Sequence, residues 1–514
     1  MSARDAADGS PHQGVKVFAD YKGPLKASCQ ALVVGSGPGG AVVAKELAEA
    51  GLDVILLEEG PPFGVADFRQ DAGVSMQRTL REHGTRVAMG NAYMPTMQAV
   101  ALGGGSLINS AICARAPAFT LEAWRERTGI GLTREGLDPH YARVERFLGV
   151  KPTPREALGR RNLLFKAGCD ALGISSEPTP QNVRGCKGSS ECFTGCRQGA
   201  KRSTDVSYVP AAIRAGARVY TSVRAEHLLH DGQVARGIRG HVVEPFTSRP
   251  GPEVEIRAQT VVLAAGCMQS PVILLKSGLG GRWVGNELQF HPGLAVMAMY
   301  DEAIDPWVGS TQGYHSLHYI KEGLKLEVLW APPAILATRL PGIGHEYQRN
   351  LLDFNRMAPF DVISAAERSR GRVRAPLFGW NPRISFDLHE EDMAVLMRGL
   401  NLLSDICWAS GATSVLPGIN GLPSVLASKA EAEILRSAKV KPRDAVIASN
   451  HAFGTTRMSK RPADGVVDEY GRHHEVRNLY IADTGIFVGS PAVNPMLTVM
   501  ALADRVAKGI TEKR

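Results

Sequence analysis

Six residues near the start of the chain, Gly35-Ser36-Gly37-Pro38-Gly39-Gly40, have the spacing G-x-G-x-x-G, a spacing suited to holding phosphate. Gly35 permits a tight turn, Gly37 lets backbone approach a pyrophosphate, and Gly40 lets a helix pack closely on a strand. The phosphates then rest on the helix N-terminus, opened by Pro38 and Gly39, where free N–H groups point outward. Glu58 follows Gly35 by 23 residues, and a carboxylate there can accept hydrogen bonds from ribose hydroxyls. A second group is Cys186, Cys192 and Cys196, a C-x5-C-x3-C pattern in a Gly-rich loop. Thiolates bunched like this suit soft metals or iron–sulfur clusters; the competing reading is a loop with incidental thiols. His451 precedes Ala452-Phe453-Gly454, where residue type alone favours a structural role. Asn494-Pro495 reads as a helix start, with Asn at the N-cap and Pro at the first helical position.

These residues need elements to hold them. An apolar strand at 31–34 meets the Gly cluster, a helix-like stretch runs to Ala50, and a second apolar strand covers 54–57. That is one βαβ unit, and a helix between parallel strands predicts a doubly wound α/β sheet. Further strands are expected at 260–264, running into Ala265-Gly266 and a helix, and at 479–482, before a last helix. In that last helix Val499, Leu502, Ala503, Val506 and Ile510 form one apolar stripe. The texture changes between 291 and 445. There Leu324, Leu326, Val328 and Trp330 alternate with polar or smaller neighbours, as do Ile384, Phe386 and Leu388, which predicts half-buried antiparallel strands. Leu396, Leu400, Leu403 and Cys407 mark a helix stopping at Gly411.

With 514 residues, two domains are the natural expectation. Lys+Arg 59 against Asp+Glu 51 gives a net charge of +8, but no basic stripe appears, which argues against nucleic acid as a partner. The surplus is compatible with loose attraction to an anionic membrane surface. The polar stretch 1–26 lacks the apolar core of a signal peptide, and no run of 18 apolar residues suggests a spanning helix. Eight cysteines without a secretion signal predict reduced thiols and a cytoplasmic location.

Four separated motifs together resemble the glucose–methanol–choline (GMC) oxidoreductases, nearest the cholesterol-oxidising and long-chain-alcohol-oxidising members. Leu102-Gly103-Gly104-Gly105-Ser106-Leu107-Ile108-Asn109 resembles that family's turn beside the flavin. The segment 266–280 is similar to its second signature, with Cys267 the one departure, and 451–458 plus 478–483 with Asn494-Pro495 resemble its C-terminal block. The resemblance spans about Ala31 to Arg505 and implies FAD as the nucleotide. It also assigns Gly104, Gly105, Ser106, Asn109, Val223, Asp483 and Pro495 to the cofactor. Ile108 stands where some members bear a His that bonds flavin covalently, so non-covalent FAD is implied. For Asp483 the plainer reading is a turn residue.

The resemblance further implies oxidation of an alcohol, with His451 as base, Asn494 as the partner of the developing alkoxide, and flavin N5 as hydride acceptor. A lipophilic substrate such as a fatty alcohol or sterol is expected, with oxygen or another electron acceptor. Alternatives are a lyase on the same fold, an iron–sulfur flavin dehydrogenase of a sugar, and a non-catalytic nucleotide-binding module. The expected architecture is a Rossmann-type FAD domain from 27–130, 200–290 and 446–514, an intervening Cys-rich segment at 131–199, and an interleaved α+β substrate domain, antiparallel sheet plus helices, at 291–445.

Overall fold

The computed structural model describes residues 13–512. Residues 1–12 of the polar N-terminal stretch lie outside the described residues. The β-rich run Leu25–Val34 enters the Gly cluster and exits into the helix Pro38–Glu49, after which Val54–Leu57 forms the second strand. All four residues of that strand are buried, as expected where helices cover both faces of a parallel sheet. In its eight-stranded sheet the order across the path is Val15–Lys16, Arg218–Tyr220, Val54–Leu57, Leu25–Val34, Pro250–Leu263, Ala235–Val243 and Val223–His230. Pro250–Leu263 is the hinge of this arrangement. Along one edge it pairs in parallel with Leu25–Val34; along the other, its first half pairs antiparallel with Ala235–Val243 and its end pairs in parallel with Leu479–Ile481. The last helix, Met496–Thr511, packs its apolar stripe against Pro38–Glu49.

A six-stranded antiparallel sheet lies elsewhere, in the order Ser414–Leu416, Gly293–Met299, Met357–Ser364, Leu324–Val328, Tyr314–Ser316 and Glu177–Pro178. Its last strand comes from well before residue 291 in the chain. The helix Glu390–Ala409 covers the sheet with Leu396, Leu400, Leu403 and Cys407 buried. Arg383–Asp387 shows the expected alternation of buried Ile384 and Phe386 with exposed neighbours. Leu324–Val328 departs from expectation: all five residues are buried, Lys325 and Glu327 included. Alternation correctly separated two faces, but the polar face is covered by protein rather than by water.

Candidate functional site

The parallel strands of the first sheet end at one place. Val34 leads into Gly35, Leu57 into Glu58, Leu263 into Ala264, and Ile481 into Ala482 and Asp483. Ligands in open α/β sheets bind at these carboxyl ends, and here a cleft of about 1710 Å3, counting its open mouth, begins. Gly35, Gly37, Pro38, Gly39 and Glu58 form part of its wall. No side chain caps the helix that starts at Pro38, so its N-terminal amides remain available to an anion. Gly35 has φ +103°, and a Cβ on Gly39 would collide with the Ala482 carbonyl. Gly40 does not line the cleft; it lies against the Gly35 carbonyl, the close helix–strand contact its spacing predicts.

Glu58 accepts from Ser36 N at 3.0 Å, Ser36 Oγ at 2.7 Å and Gly60 N at 2.8 Å. Burial raises its carboxyl above the usual range, and these donors oppose that rise. Three donors leave acceptor capacity on a carboxylate with about four lone-pair sites. Beside it, Glu59 pairs with Arg81 at 2.6 Å, and both line the cleft. Burial pushes the Glu59 carboxyl upward, but Arg81 and Arg224 outweigh it and hold the group low. Asp483 accepts from Gly266 N at 3.0 Å and Gly485 N at 2.8 Å, so it is both a turn residue and part of the wall.

Gly104, Gly105, Asn109 and Val223 also reach the cleft. A Cβ on Gly105 would meet nothing within 4 Å, so that backbone faces open space. Ser106 turns inward instead: its hydroxyl donates to Gly103 O at 2.6 Å and accepts from Thr204 N at 3.0 Å, so it shapes the turn from behind. The Cys loop meets this turn through buried Lys201, whose ammonium donates to Asn109 O at 2.9 Å and Cys192 O at 2.8 Å. Cys186, Cys192 and Cys196 are half-buried free thiols. Among the described residues, no group of three or more His, Cys, Asp or Glu side chains could hold a metal ion.

His451, Asn494 and Pro495 also line the cleft. His451 Nδ1 lies 3.2 Å from His291 Nδ1, and His291 Nε2 lies 2.7 Å from Ser490 Oγ. The two rings meet edge to face at 89°. Burial pushes His451 down to about 4; Glu327 pulls against that shift and Lys325 adds to it. His291 is also driven well below its ordinary value, by burial first and then by His451 and Lys325. Both imidazoles are therefore neutral near pH 7. If His451 Nδ1–H donates to His291, its Nε2 carries a free lone pair, the tautomer a base requires.

Asn494 is not the N-cap. The helix begins at Met496 with Pro495 in the cap position and no side-chain cap bond. Asn494 Oδ1 instead accepts from Lys325 Nζ at 2.6 Å. Lys325, Glu327, His291 and Ser490 escaped the sequence reading. Opposite charges two apart on one strand face, as Lys325 and Glu327 are, were the available signal. Trp380 lines the cleft, whereas Leu324, Leu326, Val328 and Phe360 lie in the hydrophobic core.

The donor set fits a dinucleotide flavin. Backbone turns from four segments border one cleft, and the buried Nε2 of Gln269, which also lines it, has no protein partner. Family models described as GMC oxidoreductase match residues 30–293 and 367–503. An uncharacterized GMC-type oxidoreductase of Mycobacterium tuberculosis is 33% identical over 97% of this chain and 78% of its own. Long-chain-alcohol oxidase FAO3 of Arabidopsis thaliana is 25% identical over 97% of this chain and 71% of its own. Among solved structures, a formate oxidase of Aspergillus oryzae, studied for FAD modification, superposes with a TM-score of 0.72 at 16% identity. It covers 95% of this chain and 99% of its own.

Proposed function

The chain belongs to the GMC oxidoreductases, FAD enzymes acting on CH–OH groups, and on that premise we propose that His451 and Asn494 carry out the oxidation of a lipophilic alcohol. Bound in the cleft, FAD supplies the two-electron acceptor for the carbon that loses its hydrogen. His451 Nε2 takes the hydroxyl proton, and Nδ1, held against His291, fixes the ring and its tautomer. The Asn494 amide donates to the substrate oxygen as charge gathers there. The observation carrying this reading is that a neutral imidazole, held by a second histidine, and a carboxamide both line the cleft that begins at the Gly35–Gly40 turn. A fatty alcohol or sterol suits the apolar side chains Ile108, Ile112, Phe193 and Met97 along the walls, and a long-chain-alcohol oxidase is among the relatives.

Replacing His451 by Ala tests the base. The variant is expected to purify with its flavin absorption and to lose turnover by roughly 10²–10⁴, the usual contribution of a positioned base. Turnover within a few-fold of wild type would remove His451 from the mechanism. An anaerobic screen of long-chain alcohols and sterols against short polar alcohols tests the substrate class. Bleaching by the polar set alone would overturn the lipophilic reading.

A further inference from the structure

Lys325 is fully buried and Glu327 is 2% exposed, yet both are charged residues in the middle of a sheet. Taking such charges out of water is costly unless they are paired and hydrogen-bonded. They pair with each other, and Glu327 stands opposite Asp361 on one neighbouring strand and His315 on the other. Burial, reinforced by Glu327, raises Asp361 well above its ordinary carboxylate value. The Lys325 ammonium pairs with Glu327 and also donates to Asn494 Oδ1, 2.6 Å away.

An ammonium has three donors and no acceptor, so only a carbonyl oxygen can face it. This fixes the Asn494 carboxamide: with Oδ1 bound to Lys325, its NH2 group must point the other way. Asn494 borders the cleft and Lys325 does not. We propose that Lys325, braced by Glu327, is a positioning residue that holds the Asn494 amide with its donors turned toward the substrate oxygen. The inference rests on the alcohol-oxidation reading above. Without this contact, rotation of Asn494 χ2 would present the carbonyl to a developing negative charge and repel it.

Removing Lys325 alone would strand Glu327, so the informative variant is Lys325→Met with Glu327→Leu, which removes both charges of the pair together. It is expected to retain FAD and substrate KM but to lose kcat on the order of 10²-fold, as when an oriented donor to a developing oxyanion is lost. Asn494→Asp keeps an acceptor for Lys325 but removes the donor, and is expected to lose as much. Asn494→Ala combined with the double variant should lose no more than Asn494→Ala alone, because Lys325 acts through that amide. Wild-type kcat in the double variant, full activity in Asn494→Asp, or losses that multiply would each overturn the assignment. Failure of the underlying reading shows separately, as normal turnover in His451→Ala. A dead His451→Ala and Asn494→Ala beside an unimpaired double variant would remove Lys325 alone.

Discussion

Two parts of the cleft wall are built differently. Around Gly35, Gly39 and Gly105 the wall is made chiefly of backbone turns, aided by Glu58 and Asp483, whose hydrogen bonds also brace those turns. Around His451 and Asn494 it is made of side chains held by other side chains far away in sequence. His291 lies 160 residues from His451, and Lys325 lies 169 from Asn494. Where backbone packs on backbone, as Gly39 does on the Ala482 carbonyl, a single added carbon has nowhere to go. Side-chain sites keep their shape through contacts that can be removed one at a time.

The greatest damage should come from changes to the backbone turns. Gly39→Val puts a Cβ and two methyls into the Ala482 carbonyl, so the protein should be recovered without flavin absorption or as insoluble chain. A soluble, yellow Gly39→Val would contradict a rigid backbone cradle. A smaller effect is the pH response of the side-chain part. The base form of His451 is the neutral one, and it is lost only as pH falls through the lowered value of about 4. The acid limb of kcat/KM should therefore stay flat through the ordinary histidine value of about 6.5 and bend near 4, read in buffers that keep the fold intact. A limb bending at the ordinary value would show that His451 is not desolvated, or not the base. Smaller still is Ser490→Ala, which frees His291 Nε2 while leaving the His291–His451 contact in place. A loss of kcat of about tenfold or less is expected, of the order of one neutral hydrogen bond, with flavin content unchanged. A loss equal to that of His451→Ala would mean that Ser490 touches the substrate itself.

The same contrast explains what the sequence disclosed. The first βαβ unit, its turn and Glu58 could be read because strand, glycine and helix follow one another within thirty residues, where spacing maps directly onto geometry. Asn494 was mistaken for a possible cap because Asn-Pro before an apolar stripe satisfies every local rule for a helix start; a lysine from another sheet claims its carbonyl instead. Lys325 and Glu327 looked like the wet side of a strand, since alternation reveals two faces but not what covers each. His291 carried no local pattern at all, and its role exists only where Gln289–Phe290 and Ala452–Phe453 pair.

The inner strand Pro250–Leu263 has a consequence in time as well as space. Its final residues wait for Leu479–Ile481, and the flavin cleft waits for Asp483, made 448 residues after Gly35. At roughly 5–20 residues per second, a ribosome needs tens of seconds between those two points. From the point where Leu263 is made until Leu479–Ile481 follows, the growing protein carries a half-finished cleft with an open strand edge, the kind of edge that invites pairing with other chains. Folding helpers that shield that edge, and a supply of FAD at the moment of release, should govern how much active enzyme a cell obtains from each message.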